Sequence, residues 1–184
     1  MGEPIAEVEA LKDSRLIVWS PQQGRRLYRA GFFGKPLGMP KPKEEFEAPL
    51  LLDPIEGVYL LEEGFIKVFS GEEGREIPLD ELLSIARRTL EGFDEKYGVY
   101  RDLREKGFVV APGIKYGCDF AVYQHGPGVD HAPYIVQVKG LDDGLSASEI
   151  VKAGRLATTV RKTFILALVD GDDVRYLEFR WWKP

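Results

Sequence analysis

Between two strand-like runs in the second half, Tyr134–Lys139 and Phe164–Val169, stands the tetrapeptide Ser146-Ala147-Ser148-Glu149. The pattern S-x-x-E is a capping box: the serine oxygen accepts the amide three residues on, and the glutamate reaches back to the serine amide. It opens a helix expected to run to about Lys162. Ahead of it, a helix through Tyr97–Glu105 should stop at Gly107, a residue suited to a left-handed helix end. Strands are expected at Phe108–Ala111, Cys118–Tyr123 and Tyr134–Lys139, then at Phe164–Val169 and Val174–Phe179, the last two joined by the acidic turn Asp170-Gly171-Asp172-Asp173. The order α-β-β-β-α-β-β describes a mixed α/β sheet.

The first half has another rhythm. Arg15–Ser20 and Arg26–Arg29 read as a hairpin across the turn PQQG. Residues 34–46 hold three Pro, two Gly and three Lys with neither helical nor strand period, which reads as a long loop. Pro54–Glu63 is amphipathic, Ile66–Phe69 reads as a short strand, and Leu79–Leu90 as a helix with Leu82, Leu83, Ala86 and Leu90 on one face. Charge divides the same way: residues 1–95 carry a balance of -7 and residues 96–184 a balance of +2. Two domains are therefore expected, 1–95 and 96–184, with any chemistry on anions in the second.

A single cysteine allows no internal disulfide, and no apolar run approaches the roughly 18 residues of a membrane span. The acidic start argues against a signal peptide, so a cytoplasmic protein is expected. The absence of Asn beside only four Gln suits a thermophile. The net charge of -5 speaks against a polyanionic ligand, unless the cations that matter are few and placed. No G-x-S-x-G, Walker loop or G-x-G-x-x-G occurs, which disfavours serine hydrolases, P-loop NTPases and Rossmann enzymes.

Two constellations carry chemistry. Asp119 on one strand, followed by Gln137-Val138-Lys139 on the next, is similar to the D…(E/Q)-x-K pattern with which restriction-type nucleases hold Mg²⁺, although Gln137 supplies one acid too few. The other needs no metal. Tyr123 ends one strand, and His131 nearly opens the next beyond the loop QHGPGVD. Arg155 and Lys162 stand two helical turns apart on the capped helix, so they should share a face. A Tyr, a His and a Lys so gathered can cleave RNA, the ribose 2′-OH attacking the adjacent phosphate while one group removes its proton and another protonates the leaving 5′-oxygen. His125 is read as a solvated loop residue.

The stretch YGVYRDLREKGFVVAPGIKYGCDFAVYQHGPGVDHAPYIVQV, with GRLATTVRKTFILALVD after it, resembles the catalytic domain of archaeal tRNA-splicing endonucleases. A weaker likeness runs through LLLDPIEGVYLLEEGFIKV and the helix from Leu79, so the resemblance covers nearly the whole chain. It implies a small N-terminal α+β domain followed by a restriction-endonuclease-like mixed-sheet catalytic domain. It implies Tyr123 as general base, His131 as general acid and Lys162 as transition-state stabiliser, with Lys162 lowering the Tyr123 pKa. It further implies precursor tRNA folded as a bulge-helix-bulge as substrate, and 2′,3′-cyclic phosphate and 5′-OH ends as products. Arg155 and Arg180, the latter beside Trp181 and Trp182, would clamp a bulged base, and no cofactor is implied.

The acidic turn Asp170-Gly171-Asp172-Asp173 matches a family loop that inserts into a basic pocket on a neighbouring subunit. The loop 34–46 is similar to that of crenarchaeal enzymes, which pair a catalytic subunit with a smaller structural one. An α2β2 heterotetramer is thus expected, with this chain catalytic and Lys41 or Lys43 reaching RNA. The rival readings are a Mg²⁺-dependent DNA nuclease on Asp119 and Lys139, and a non-catalytic structural subunit of the same assembly.

Overall fold

The computed structural model describes residues 3–39 and 45–179, divided into two compact units, Met1–Phe93 and Asp94–Pro184. Each is a mixed α/β unit with its own sheet, as the fold class expected.

In the first unit the strands β1 (Ala6–Ala10), β2 (Leu16–Val18), β3 (Lys35–Pro36), β4 (Leu50–Leu52), β5 (Ile66–Ser70) and β6 (Glu76–Ile77) form one sheet in the order β3-β4-β2-β1-β5-β6. Its helices are α1 (Pro21–Gly31), α2 (Pro54–Glu62) and α3 (Leu79–Thr89). The expected hairpin across PQQG does not form, because Ser20 caps a helix there. Its hydroxyl accepts the Gln23 amide at 3.4 Å, and Pro21 sits in the first turn, where its missing N–H costs nothing. Arg26–Arg29 are helical, and Leu27 and Tyr28 are buried.

The loop expected over 34–46 is also partly structured. Lys35 and Pro36 pair with Leu51 and Leu50, and Phe46 is buried. Gly34 makes this possible with φ 75°, since a Cβ there would lie 2.8 Å from Leu50 Cγ. The Gly34 amide donates to Glu56 Oε1 at 3.0 Å, and the Asp53 amide to Glu56 Oε2 at 2.9 Å, so backbone donors hold this buried carboxylate.

The second unit contains α4 (Phe93–Glu105), β7 (Val109–Pro112), a 3-10 turn (Ile114–Tyr116), β8 (Phe120–Tyr123), β9 (Tyr134–Gly140), α5 (Ala147–Val160), β10 (Thr163–Asp170) and β11 (Asp173–Phe179). This is the expected α-β-β-β-α-β-β order with one added turn. The sheet runs β11-β10-β9-β8-β7. Its one parallel pair, β9 with β10, is the pair that α5 connects, as a strand-helix-strand crossover requires. The Ser146–Glu149 capping box is formed on both sides. Ala153 and Ala157, one turn apart and buried, let α5 lie close to Ile135, Phe164 and Leu166 of the sheet.

Candidate active site

Strand direction decides where the candidate residues sit. β8 runs antiparallel to β9, with Val122 opposite Tyr134, and β9 runs parallel to β10, with Tyr134 opposite Thr163. The end of β8 and the starts of β9 and β10 therefore share one edge of the sheet. Tyr123 is the last residue of β8, His131 lies three residues before β9, and Lys162 immediately precedes β10. The Thr163 amide donates to Pro133 O at 2.9 Å and ties two of these strand starts together.

The loop from Gln124 to Pro133 is organised by Asp130. One of its carboxylate oxygens accepts the Gly126 amide at 2.8 Å; the other accepts those of Gln124 at 3.1 Å and His125 at 3.2 Å. Burial alone would push this carboxyl up, but the Gly126, His125 and Gln124 amides outweigh it and leave the group below its ordinary range. Gly126 (φ 131°) and Gly128 (φ 89°) supply backbone conformations that a side chain would resist. His125 and His131 are both exposed.

Helix α5 ends sooner than expected, at Val160, and Arg161 takes a left-handed conformation with φ 52°. Lys162 therefore lies beyond the helix, and the expected two-turn relation with Arg155 on one helical face does not hold. Arg155 is exposed on α5. The Lys162 ammonium donates to the carbonyl oxygen of Ala132, next to His131, and stands 5.1 Å from the ring centroid of Tyr116. Lys162, Arg161, Pro133, Ile150, Ala157 and Phe179 border a cleft of about 780 Å³, mostly apolar in its lining but with these two cations among it.

Tyr123 departs from expectation in its proton affinity. Burial first, then the neighbouring Tyr116 and Asp130, raise its phenol above the ordinary value. The expected lowering by Lys162 is not among these influences, and the one carboxylate among them, Asp130, acts in the opposite direction.

The comparisons with known proteins agree with one another. Residues 9–83 match the model of the tRNA intron endonuclease N-terminal domain, and residues 93–176 match that of the tRNA intron endonuclease catalytic C-terminal domain. The chain belongs to the tRNA intron endonuclease family. It is 49% identical over 173 residues to a tRNA-splicing endonuclease of Hyperthermus butylicus, covering 92% of this chain and 95% of that protein. A tRNA-splicing endonuclease of Saccharolobus islandicus is 41% identical over 177 residues, covering 94% and 97% of the two chains. One from Sulfurisphaera tokodaii is 41% identical over 179 residues, covering 95% and 98%. The expected function, that of a tRNA-splicing endonuclease and hence an RNA lyase, is borne out at this level.

Within this family member the rival constellation is occupied by the protein itself. Asp119 Oδ2 accepts Gln137 Nε2 at 2.5 Å and the Val138 amide at 2.7 Å, while Oδ1 pairs with Lys96 at 3.2 Å. Asp119 thus joins α4 to β9. Lys139 pairs with Glu149 Oε1 at 2.8 Å instead of approaching Asp119. Among the described residues no three His, Cys, Asp or Glu side chains converge as a metal donor set.

The acidic turn of the endonuclease chain, Asp170 to Asp173, is exposed, with Gly171 at φ 59° closing the β10–β11 hairpin. Lys41, Lys43 and Arg180, together with Trp181 and Trp182, lie outside the described residues. No helix among those described is long and apolar enough to cross a membrane. Sequence reasoning passed over two residues of this site. Tyr116 stands inside the family-like run KYG, and Asp130 inside GPGVD, where an acid following two glycines signals a side chain bonded to its own loop.

Proposed function

We propose that the chain is the catalytic subunit of its tRNA-splicing endonuclease and cuts precursor tRNA at bulge-helix-bulge exon–intron junctions without a metal ion. Tyr123 takes the proton of the ribose 2′-OH, whose oxygen bonds to the adjacent phosphorus. The bond from phosphorus to the 5′-oxygen breaks as His131 protonates that oxygen, leaving a 2′,3′-cyclic phosphate and a 5′-OH. Lys162 balances the extra negative charge on the phosphoryl oxygens. The observation that carries this reading is the shared sheet edge, with the Lys162 ammonium on the Ala132 carbonyl beside His131. The raised Tyr123 phenol is a scarce but strong base once ionised, which suits abstraction from a weakly acidic hydroxyl.

Arg155 and Arg180 clamp a bulged base, and Lys41 and Lys43 contact RNA near the cut. Asp170, Asp172 and Asp173 enter a basic pocket of a smaller structural subunit, giving an α2β2 assembly. The exposure of that turn supports this, as does the acidic groove of about 580 Å³ that it shares with Asp94, Asp102, Asp142 and Asp143.

The test is cleavage of a bulge-helix-bulge RNA in EDTA, by the chain alone and with the smaller subunit added. Cutting that persists in EDTA and is lost in Lys162→Ala supports the reading. Cutting that EDTA abolishes returns the chemistry to Asp119 and Lys139. Full activity of the chain by itself removes the heterotetramer.

A further inference from the structure

Among the described residues, the Lys162 ammonium meets the Ala132 carbonyl and the ring face of Tyr116. The second is built from the core outward. Tyr116 closes the 3-10 turn, its amide donating to Gly113 O at 2.8 Å, and Gly117 turns the chain away with φ 69°. Its half-buried ring packs on the cluster of Cys118, Ile135, Ala153, Ala157, Phe164 and Leu166, which belongs to β9, β10, α5 and the approach to β8. The ring is therefore held by the same core that sets the sheet edge.

A free lysine side chain spreads over many rotamers, so holding it in one costs conformational entropy. A ring face within about 6 Å of an ammonium attracts it through the ring quadrupole. An ammonium has three N–H donors: one meets Ala132 O, the ring takes up a second side, and the third is left for a ligand. Tyr116 also helps hold the Tyr123 phenol above its ordinary value, so it acts on a second group of the site.

We infer that Tyr116 is a positioning residue for the cleavage reaction, its ring fixing the Lys162 ammonium against the Ala132 carbonyl so that one N–H faces the scissile phosphate. This rests on the reading of Lys162 as the cation of the transition state. The feature that matters is the aromatic face and not the phenol oxygen, which separates positioning from packing or proton transfer.

The experiment compares Tyr116→Phe and Tyr116→Leu in single-turnover cleavage of a bulge-helix-bulge RNA, with RNA affinity and melting temperature measured beside the rate. The ring-retaining Tyr116→Phe should cut within about threefold of the parent. Tyr116→Leu should cut about 10- to 100-fold more slowly with RNA affinity unchanged. If Tyr116→Leu fails to fold, Tyr116→Met fills the volume without a π face and takes its place. Parent-like rates in the ringless variant, or equal losses in both variants, overturn the inference.

A second readout does not depend on the mechanism. The NMR signal of the Lys162 ammonium should be displaced upfield by the ring in the parent and Tyr116→Phe, and return to the ordinary position in the ringless variant. Failure to see that displacement in the parent overturns the contact. Parent-like cutting by Lys162→Ala with the displacement present shows instead that the reading of Lys162 has failed.

Discussion

The Asp130 carboxylate accepts the Gly126 amide at 2.8 Å and so closes the loop that separates Tyr123 from His131. With the Gln124 and His125 amides on its other oxygen, one side chain organises the backbone between two of the three groups proposed to react. Asp130→Ala leaves those amides without their acceptor, and the cleavage rate should fall by about 10- to 100-fold through misplacement alone. Asp130→Asn keeps one acceptor oxygen and should fall between the two. A parent-like rate in Asp130→Ala at saturating RNA would remove this role.

With Tyr123 as the proposed base, its phenol sets the pH profile of cleavage. A reaction that needs one ionised base and one protonated acid falls off above the higher of their two pKa values. Burial and the nearby Tyr116 and Asp130 raise the Tyr123 phenol, so the alkaline limb should lie above pH about 10, the ordinary phenol value. Fluorotyrosine at position 123, a more acidic phenol, should move that limb to lower pH. An unmoved limb assigns the base elsewhere.

Alkaline stability is set in part by another phenol. Tyr176 donates to Asp102 Oδ2 at 2.5 Å, and burial first, then that bond, push its pKa far up. The folded chain thus keeps a proton that the unfolded chain releases near pH about 10. Its contribution is fully present below that value and is lost as pH climbs toward the folded one. Urea midpoints at pH 8 and pH 11 should differ less in Tyr176→Phe than in the parent.

Helix α5 should show the opposite dependence at its start. Glu149 is lowered to about 2, first by its bond to Lys139 and then by the Ser146 amide and hydroxyl. Its stabilising effect is present above the unfolded value of about 4.3 and is lost as pH falls toward the folded one. Glu149→Gln should therefore flatten the decline in urea midpoint between pH 5 and pH 2. Ser146→Ala, which deletes the acceptor of the Glu149 amide at 3.2 Å, should cost about 1 kcal/mol at neutral pH.

Much of the second unit was legible because its signals are local. The capping box at Ser146, the stop at Gly107 and the apolar runs of β9 and β10 each act within a few residues. The first unit was less so. PQQG carries turn residues, yet Ser20 and Pro21 form a helix start, and only the burial of Leu27 and Tyr28 settles that choice. Lys35 and Pro36 have no strand period, and they pair because β4 offers a free edge and Gly34 can adopt φ 75°.

By itself, the amino-acid sequence determined the family and the order of elements in the second unit, and it supplied the residues proposed to cut RNA. The tertiary structure alone decided how those residues meet. Helical spacing relates Arg155 to Lys162, yet α5 ends at Val160 and the relation dissolves. Tyr116 and Lys162, or Asp130 and the Tyr123 phenol, come together through strand pairing and core packing between residues distant or unpatterned in the chain. The Tyr123 phenol rises because burial and a carboxylate surround it, and neither surrounding is written in the residue itself.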